Sequence, residues 1–158
     1  MIRLRGTLLP DHILLDLDSG SREEAIRRVA ETLRSDPRVA DWPQFFRKLK
    51  ERDANAKINL QYGVTVPHAR TSSVTGMVMA FGRLKEPVLE PDGTIHFVTV
   101  LGIPETMDAE YLRLVGTLMR VFRSEKLRRR LQQAEKPSQI VDIFEQGESG
   151  LRRKIRAD

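Results

Sequence analysis

The three histidines, His12, His68 and His96, are the side chains best suited to covalent or proton chemistry, because the chain contains no cysteine. An imidazole with a pKa of about 6.5 is largely neutral at pH 7 and offers a nitrogen lone pair. His12 falls in an apolar run and His96 within a strand-like pattern, which makes both structural or surface residues. His68 stands in Tyr62-Gly-Val-Thr-Val-Pro-His-Ala-Arg70, after a β-branched run and a proline and before a polar stretch. Rigid elements commonly hold reactive side chains at such strand-to-loop edges. The lone pair can attack phosphorus, and Pro67 limits the backbone freedom that would misdirect it.

A phosphorylated imidazole needs neighbouring donors, and the planar fork of arginine matches phosphate oxygens better than lysine does. Arg52 and Arg70 are the local candidates. Spacing and composition by themselves favour a plainer description, a surface histidine with two solvated arginines. The histidines share no helical or hairpin spacing and no pairing with carboxylates, so a metal site is not expected. The lack of cysteine removes disulfides, thiolate catalysis and cysteine-based metal sites.

The elements that must position these residues are readable from periodicity. Residues 12–17 form a short apolar run, a strand or a loop packed on the core. Ser21 and Glu24 make a capping box for a helix of about four turns, with Ala25, Ile26, Val29, Ala30 and Leu33 on one face, ending before Pro37. Asp41 caps a second helix whose apolar stripe is Trp42, Phe45, Phe46 and Leu49 and whose C-terminal end carries Arg52. A loop over 54–62 leads to the strand Val64-Thr-Val66, which Pro67 stops. Strands over 76–81 and 95–103 flank a turn-rich segment containing Pro87, Pro91, Asp92 and Gly93. Tyr111, Leu114, Val115, Leu118, Val121 and Phe122 recur at helical spacing, Ser124 caps a further helix, and a last helix over 138–146 ends before Gly147.

With 158 residues, the chain is expected to form one domain over 1–147 with a basic tail over 148–158. The pattern indicates an α/β class in which helices cover a central sheet. No run approaches the roughly 20 apolar residues of a membrane helix. Acidic residues such as Asp11 and Asp16 interrupt any leader-like segment, so the protein is expected to be neither secreted nor membrane-inserted. Net charge is +5, concentrated in Lys126 to Arg130 and Arg152 to Arg156. A solvated helix face and a basic tail account for this better than nucleic-acid binding does.

The segment Gly63-Val-Thr-Val-Pro-His68-Ala-Arg70 resembles the Gly-Ile-Ala-Ile-Pro-His-Ala-Arg segment of fructose- and mannitol-type enzyme IIA domains of the bacterial sugar phosphotransferase system. Leu14-Leu-Asp-Leu, Arg22-Glu-Glu-Ala-Ile and Arg52-Asp53 also resemble family segments, and the similarity extends over roughly residues 10–146. The resemblance implies a central mixed sheet flanked by helices on both faces. It further implies that His68 accepts a phosphoryl group from a histidine phosphocarrier protein and that Arg52, sixteen residues earlier, contacts that group. Metal and nucleotide cofactors are not implied, and the location implied is cytoplasmic. Two departures stand out: Lys57-Ile-Asn-Leu-Gln61 replaces a glycine-containing loop, and Tyr111 occupies the place of a second family histidine. Tyrosine can donate to a phosphate oxygen but, with a pKa of about 10, cannot relay protons at neutral pH. No enzyme IIB or IIC segment is recognised, so a regulatory phosphocarrier similar to nitrogen-regulatory enzyme IIA is expected over a sugar-transport subunit. The implied partners are the phosphocarrier protein and either an enzyme IIB or a regulated target. The alternative is a degenerate enzyme IIA that binds a protein and is never phosphorylated.

Overall fold

A computed structural model describes the backbone of residues 4–55 and 59–157, and side chains for residues 4, 6–53 and 61–150. A short helix α1 (Leu4–Thr7) leads into strand β1 (Leu8–Leu17), longer than the apolar run that marks it in the sequence. Helix α2 (Arg22–Glu31) starts where the capping box places it, with the Ser21 side chain accepting from the Glu24 N–H at 3.1 Å. Helix α3 (Trp42–Asn55) is capped by Asp41, which accepts from the Gln44 N–H at 3.1 Å. Short strands β2 (Asn59–Leu60), β3 (Val64–Thr65) and β4 (His68–Arg70) follow. Lys57 and Ile58 of the substituted loop lie outside the described residues.

The next two strands are longer than the sequence pattern suggests. β5 (Val78–Glu90) and β6 (Gly93–Ile103) form one antiparallel hairpin closed at Pro91-Asp92. The turn-like segment containing Pro87 is a register irregularity within β5, between Arg83 and Val88. A proline has no ladder donor, and the irregularity accommodates it. Helices α4 (Asp108–Arg123), α5 (Glu125–Gln133) and α6 (Pro137–Ala157) complete the chain. Ser124 caps α5 by accepting from the Leu127 N–H at 3.1 Å.

The sheet order is β1-β5-β6-β3-β2, with β4 also paired to β6. It is mixed: β1 runs parallel to β5, β5 antiparallel to β6, and both β3 and β4 parallel to β6. One face is covered by α2 and α3 through Ile26, Val29, Phe45 and Leu49, the other by α4, α5 and α6 through Phe122, Leu131 and Phe144. The α/β class with helices on both faces holds as expected. The last helix does not stop at Gly147, which is helical and lies against α4. A Cβ there would stand 2.4 Å from Val121 Cγ2, so this glycine serves close helix packing and not termination.

Candidate functional site

Pro67 interrupts the edge of the sheet without ending it. It offers no N–H, yet its carbonyl accepts from the Leu101 N–H at 3.0 Å, and the chain resumes pairing as β4 with His68 opposite Leu101. His68 therefore lies in a strand and not in a loop, and it is 7% exposed. Alternation along β4 sends Ala69 into the core under α2 and α3, so His68 and Arg70 face the side of α4.

Both ring nitrogens of His68 are engaged. Nδ1 lies 3.1 Å from the Val66 carbonyl oxygen. A carbonyl can only accept, so Nδ1 carries the proton and donates it. That leaves a lone pair on Nε2, which accepts from the Tyr111 hydroxyl at 3.3 Å. Tyr111 sits in the first turn of α4, its ring 5.7 Å from the imidazole. Burial pushes the pKa of His68 down, the Val66 carbonyl opposes this, and the positive charge of Arg52 lowers it further while Asp53 raises it. The arrangement favours a neutral imidazole in one tautomer, with its lone pair on Nε2.

Arg52 stands in the last turn of α3, exposed, with its charge acting on His68. Arg70 is committed elsewhere. It forms an ion pair with Asp108 and donates to the Glu105 carbonyl at 3.1 Å, which fixes the start of the helix that carries Tyr111. His12 and His96 are not part of the site. His12 is buried and its Nε2 lies 2.9 Å from Asp36 Oδ2, whereas His96 lies against Gly63, where a Cβ would come within 2.7 Å of its ring. Among the described residues, no group of three or more His, Cys, Asp or Glu could hold a metal ion.

The sequence reading assigned no role to Arg22. It is buried at the first position of α2, where it donates two hydrogen bonds of 2.6 Å to the carboxylate of Asp53 and one of 2.8 Å to Thr65 Oγ1. A signal was present. A helix N-terminus disfavours cations, and Glu23 and Glu24 beside Arg22 obey that rule while Arg22 does not.

The family model described as "Phosphoenolpyruvate-dependent sugar phosphotransferase system, EIIA 2" matches residues 7–147. The chain is 28% identical over 143 residues to the PTS system fructose-specific EIIABC component of Bacillus subtilis, covering 88% of this chain but only 22% of that protein. It is 25% identical over 153 residues to a nitrogen regulatory protein of Pseudomonas aeruginosa, covering 95% of this chain and 99% of the relative. The crystal structure of nitrogen regulatory protein IIA-Ntr from Neisseria meningitidis superposes with a TM-score of 0.79 at 26% identity, covering 88% of this chain and 97% of that one.

Proposed function

The chain belongs to the EIIA 2 family of the phosphoenolpyruvate-dependent sugar phosphotransferase system, and on that premise we propose that it carries a phosphoryl group on Nε2 of His68. The observation that carries this reading is the hydrogen bond from Nδ1 to the Val66 carbonyl, which puts the ring's lone pair on Nε2, where, among the described residues, only the hydroxyl of Tyr111 meets it. The donor is a phosphorylated histidine phosphocarrier protein. The Nε2 lone pair attacks phosphorus in line, the new N–P bond forms as the donor's N–P bond breaks, and the donor imidazole leaves with that electron pair. His68 keeps its Nδ1 proton, so the product is a phosphoimidazolium whose positive ring is stabilised by the Val66 carbonyl. The same retained proton lets His68 depart as a neutral ring in a later transfer.

Arg52 offsets the charge of the phosphoryl oxygens, and the Tyr111 hydroxyl moves from the Nε2 lone pair to a phosphoryl oxygen once that pair is used. Pro67 supports the site by fixing the strand entry, and Arg70 supports it by holding α4. The receiving partner is an enzyme IIB or a regulated protein. The two kinds of relative support both, since one carries the name of a sugar component and the other that of a nitrogen regulator. We place the protein in the cytoplasm, the location that its family membership implies.

Incubation with the phosphorylated carrier, followed by intact-mass measurement, tests this. The wild type gains one phosphoryl mass and His68→Gln gains none. A wild type that stays unmodified, or a His68→Gln variant that is still modified, overturns the reading and leaves a protein-binding module in its place.

A further inference from the structure

Arg22 is an expensive residue to bury. Its side chain is 3% exposed, it sits where the helix dipole repels a cation, and its Nε finds no partner among the described residues. An apolar residue of similar size often supplies as much stability as a buried ion pair. Yet the fork of Arg22 meets both oxygens of Asp53 and reaches Thr65, so one guanidinium ties the start of α2, the end of α3 and strand β3 together. Each of those contacts leads to the site: Asp53 follows Arg52, and Thr65 lies three residues before His68.

We infer that Arg22 is a positioning residue for phosphoryl transfer, which binds the Asp53 carboxylate in a charge-neutral fork so that Arg52 alone presents charge to the group arriving on His68. This rests on the proposed function. Without Arg22, Asp53 would hold an unpaired negative charge in the field of His68 and would repel the phosphoryl oxygens. The groups acting on His68 are Arg52 and Asp53 from α3, Tyr111 from α4 and the Val66 carbonyl from its own strand. Arg22 therefore alters the site only through Asp53 and the chain around it.

Two readouts separate this role from a purely structural one. The first is the rate of phosphoryl acceptance on the full chain for Arg22→Met and for Arg22→Met combined with Asp53→Asn. The single variant is expected to be slower by about tenfold or more, and the double variant to regain most of the loss because the stranded charge is gone. The second is the NMR titration of His68 in the absence of any donor. The midpoint should rise by about half a unit or more in Arg22→Met and return in the double variant. That measurement stands whether or not His68 is phosphorylated, so failure of the proposed function and failure of this inference are told apart. Should Arg22→Met not fold, Arg22→Lys replaces it: its ammonium still offsets the Asp53 charge, so the His68 midpoint should stay close to that of the wild type, and a midpoint raised by about half a unit or more overturns the inference. A wild-type rate and midpoint in folded Arg22→Met, or a double variant as impaired as the single, overturns the inference.

Discussion

At the scale of single residues, the proton on Nδ1 of His68 decides which nitrogen carries the lone pair that the proposed transfer uses, and burial decides the pH range in which that pair is available. Because burial holds the imidazole below its ordinary pKa, the reactive neutral form dominates at pH 7. It is lost only as the pH falls through a midpoint below about 6.5. Acceptance rates measured against pH should therefore be flat above neutrality and decline on the acid side of that value. A midpoint above it would mean that a negative charge, and not burial, governs the ring. Arg52→Gln removes one charge-assisted partner of the phosphoryl group, a loss of about 1.5–3 kcal/mol. Acceptance should slow by roughly 10- to 100-fold, with unchanged thermal stability, since the side chain is exposed. His68, Arg52 and the replacement at Tyr111 were legible in the sequence. The commitment of Arg70 to Asp108 and Glu105 was not, because the partners lie beyond an intervening hairpin.

Among the elements, those with strong local signals started where the pattern put them: α2 behind Ser21, α3 behind Asp41 and α5 behind Ser124, although α2 ends at Glu31, short of the four turns expected, and leaves Leu33 in the turn that follows. Local rules failed where tertiary pairing outweighs them. Pro67 reads as a strand end, yet β4 continues beyond it because β6 offers a parallel neighbour in register. Pro87 and its surroundings read as a turn, yet they belong to a strand held by its hairpin partner. Gly147 reads as a helix stop, although its absent Cβ serves a contact between α6 and α4 that no local window can show. Gly147→Ala forces that contact apart and should cost about 1–3 kcal/mol of stability. Chemical denaturation should record this loss while phosphoryl acceptance at His68 is kept. Undiminished stability would show that α6 does not pack against Val121 as closely as described.

For the molecule as a whole, two apolar layers enclose the sheet, and one buried polar node joins the N-terminal segment to it. Asp36 accepts from His12 at 2.9 Å and from Arg38 at 2.8–3.0 Å, and Arg38 donates on to the Gly6 and Met77 carbonyls. The side-chain hydrogen bonds from Arg38 hold the Asp36 carboxyl well below the usual carboxylate range. A depressed carboxylate stabilises the fold above its unfolded pKa, and that contribution drains away as the pH falls below about 4. Asp36→Asn should cost roughly 1.5–3 kcal/mol at pH 7, and the gap to wild type should narrow as unfolding is followed towards pH 3. A gap that stays constant would show that the node contributes nothing through its charge. The node joins segments far apart in sequence, so nothing in the local pattern around His12 reveals it. The claim on which the functional account depends is that phosphorus binds Nε2 of His68, and ring-nitrogen NMR of the histidine-labelled, carrier-phosphorylated protein tests it most directly. A phosphorus-coupled Nε2 and a protonated Nδ1 on His68 are expected; coupling to Nδ1, or to either nitrogen of His12 or His96, would show that Nε2 of His68 is not the acceptor.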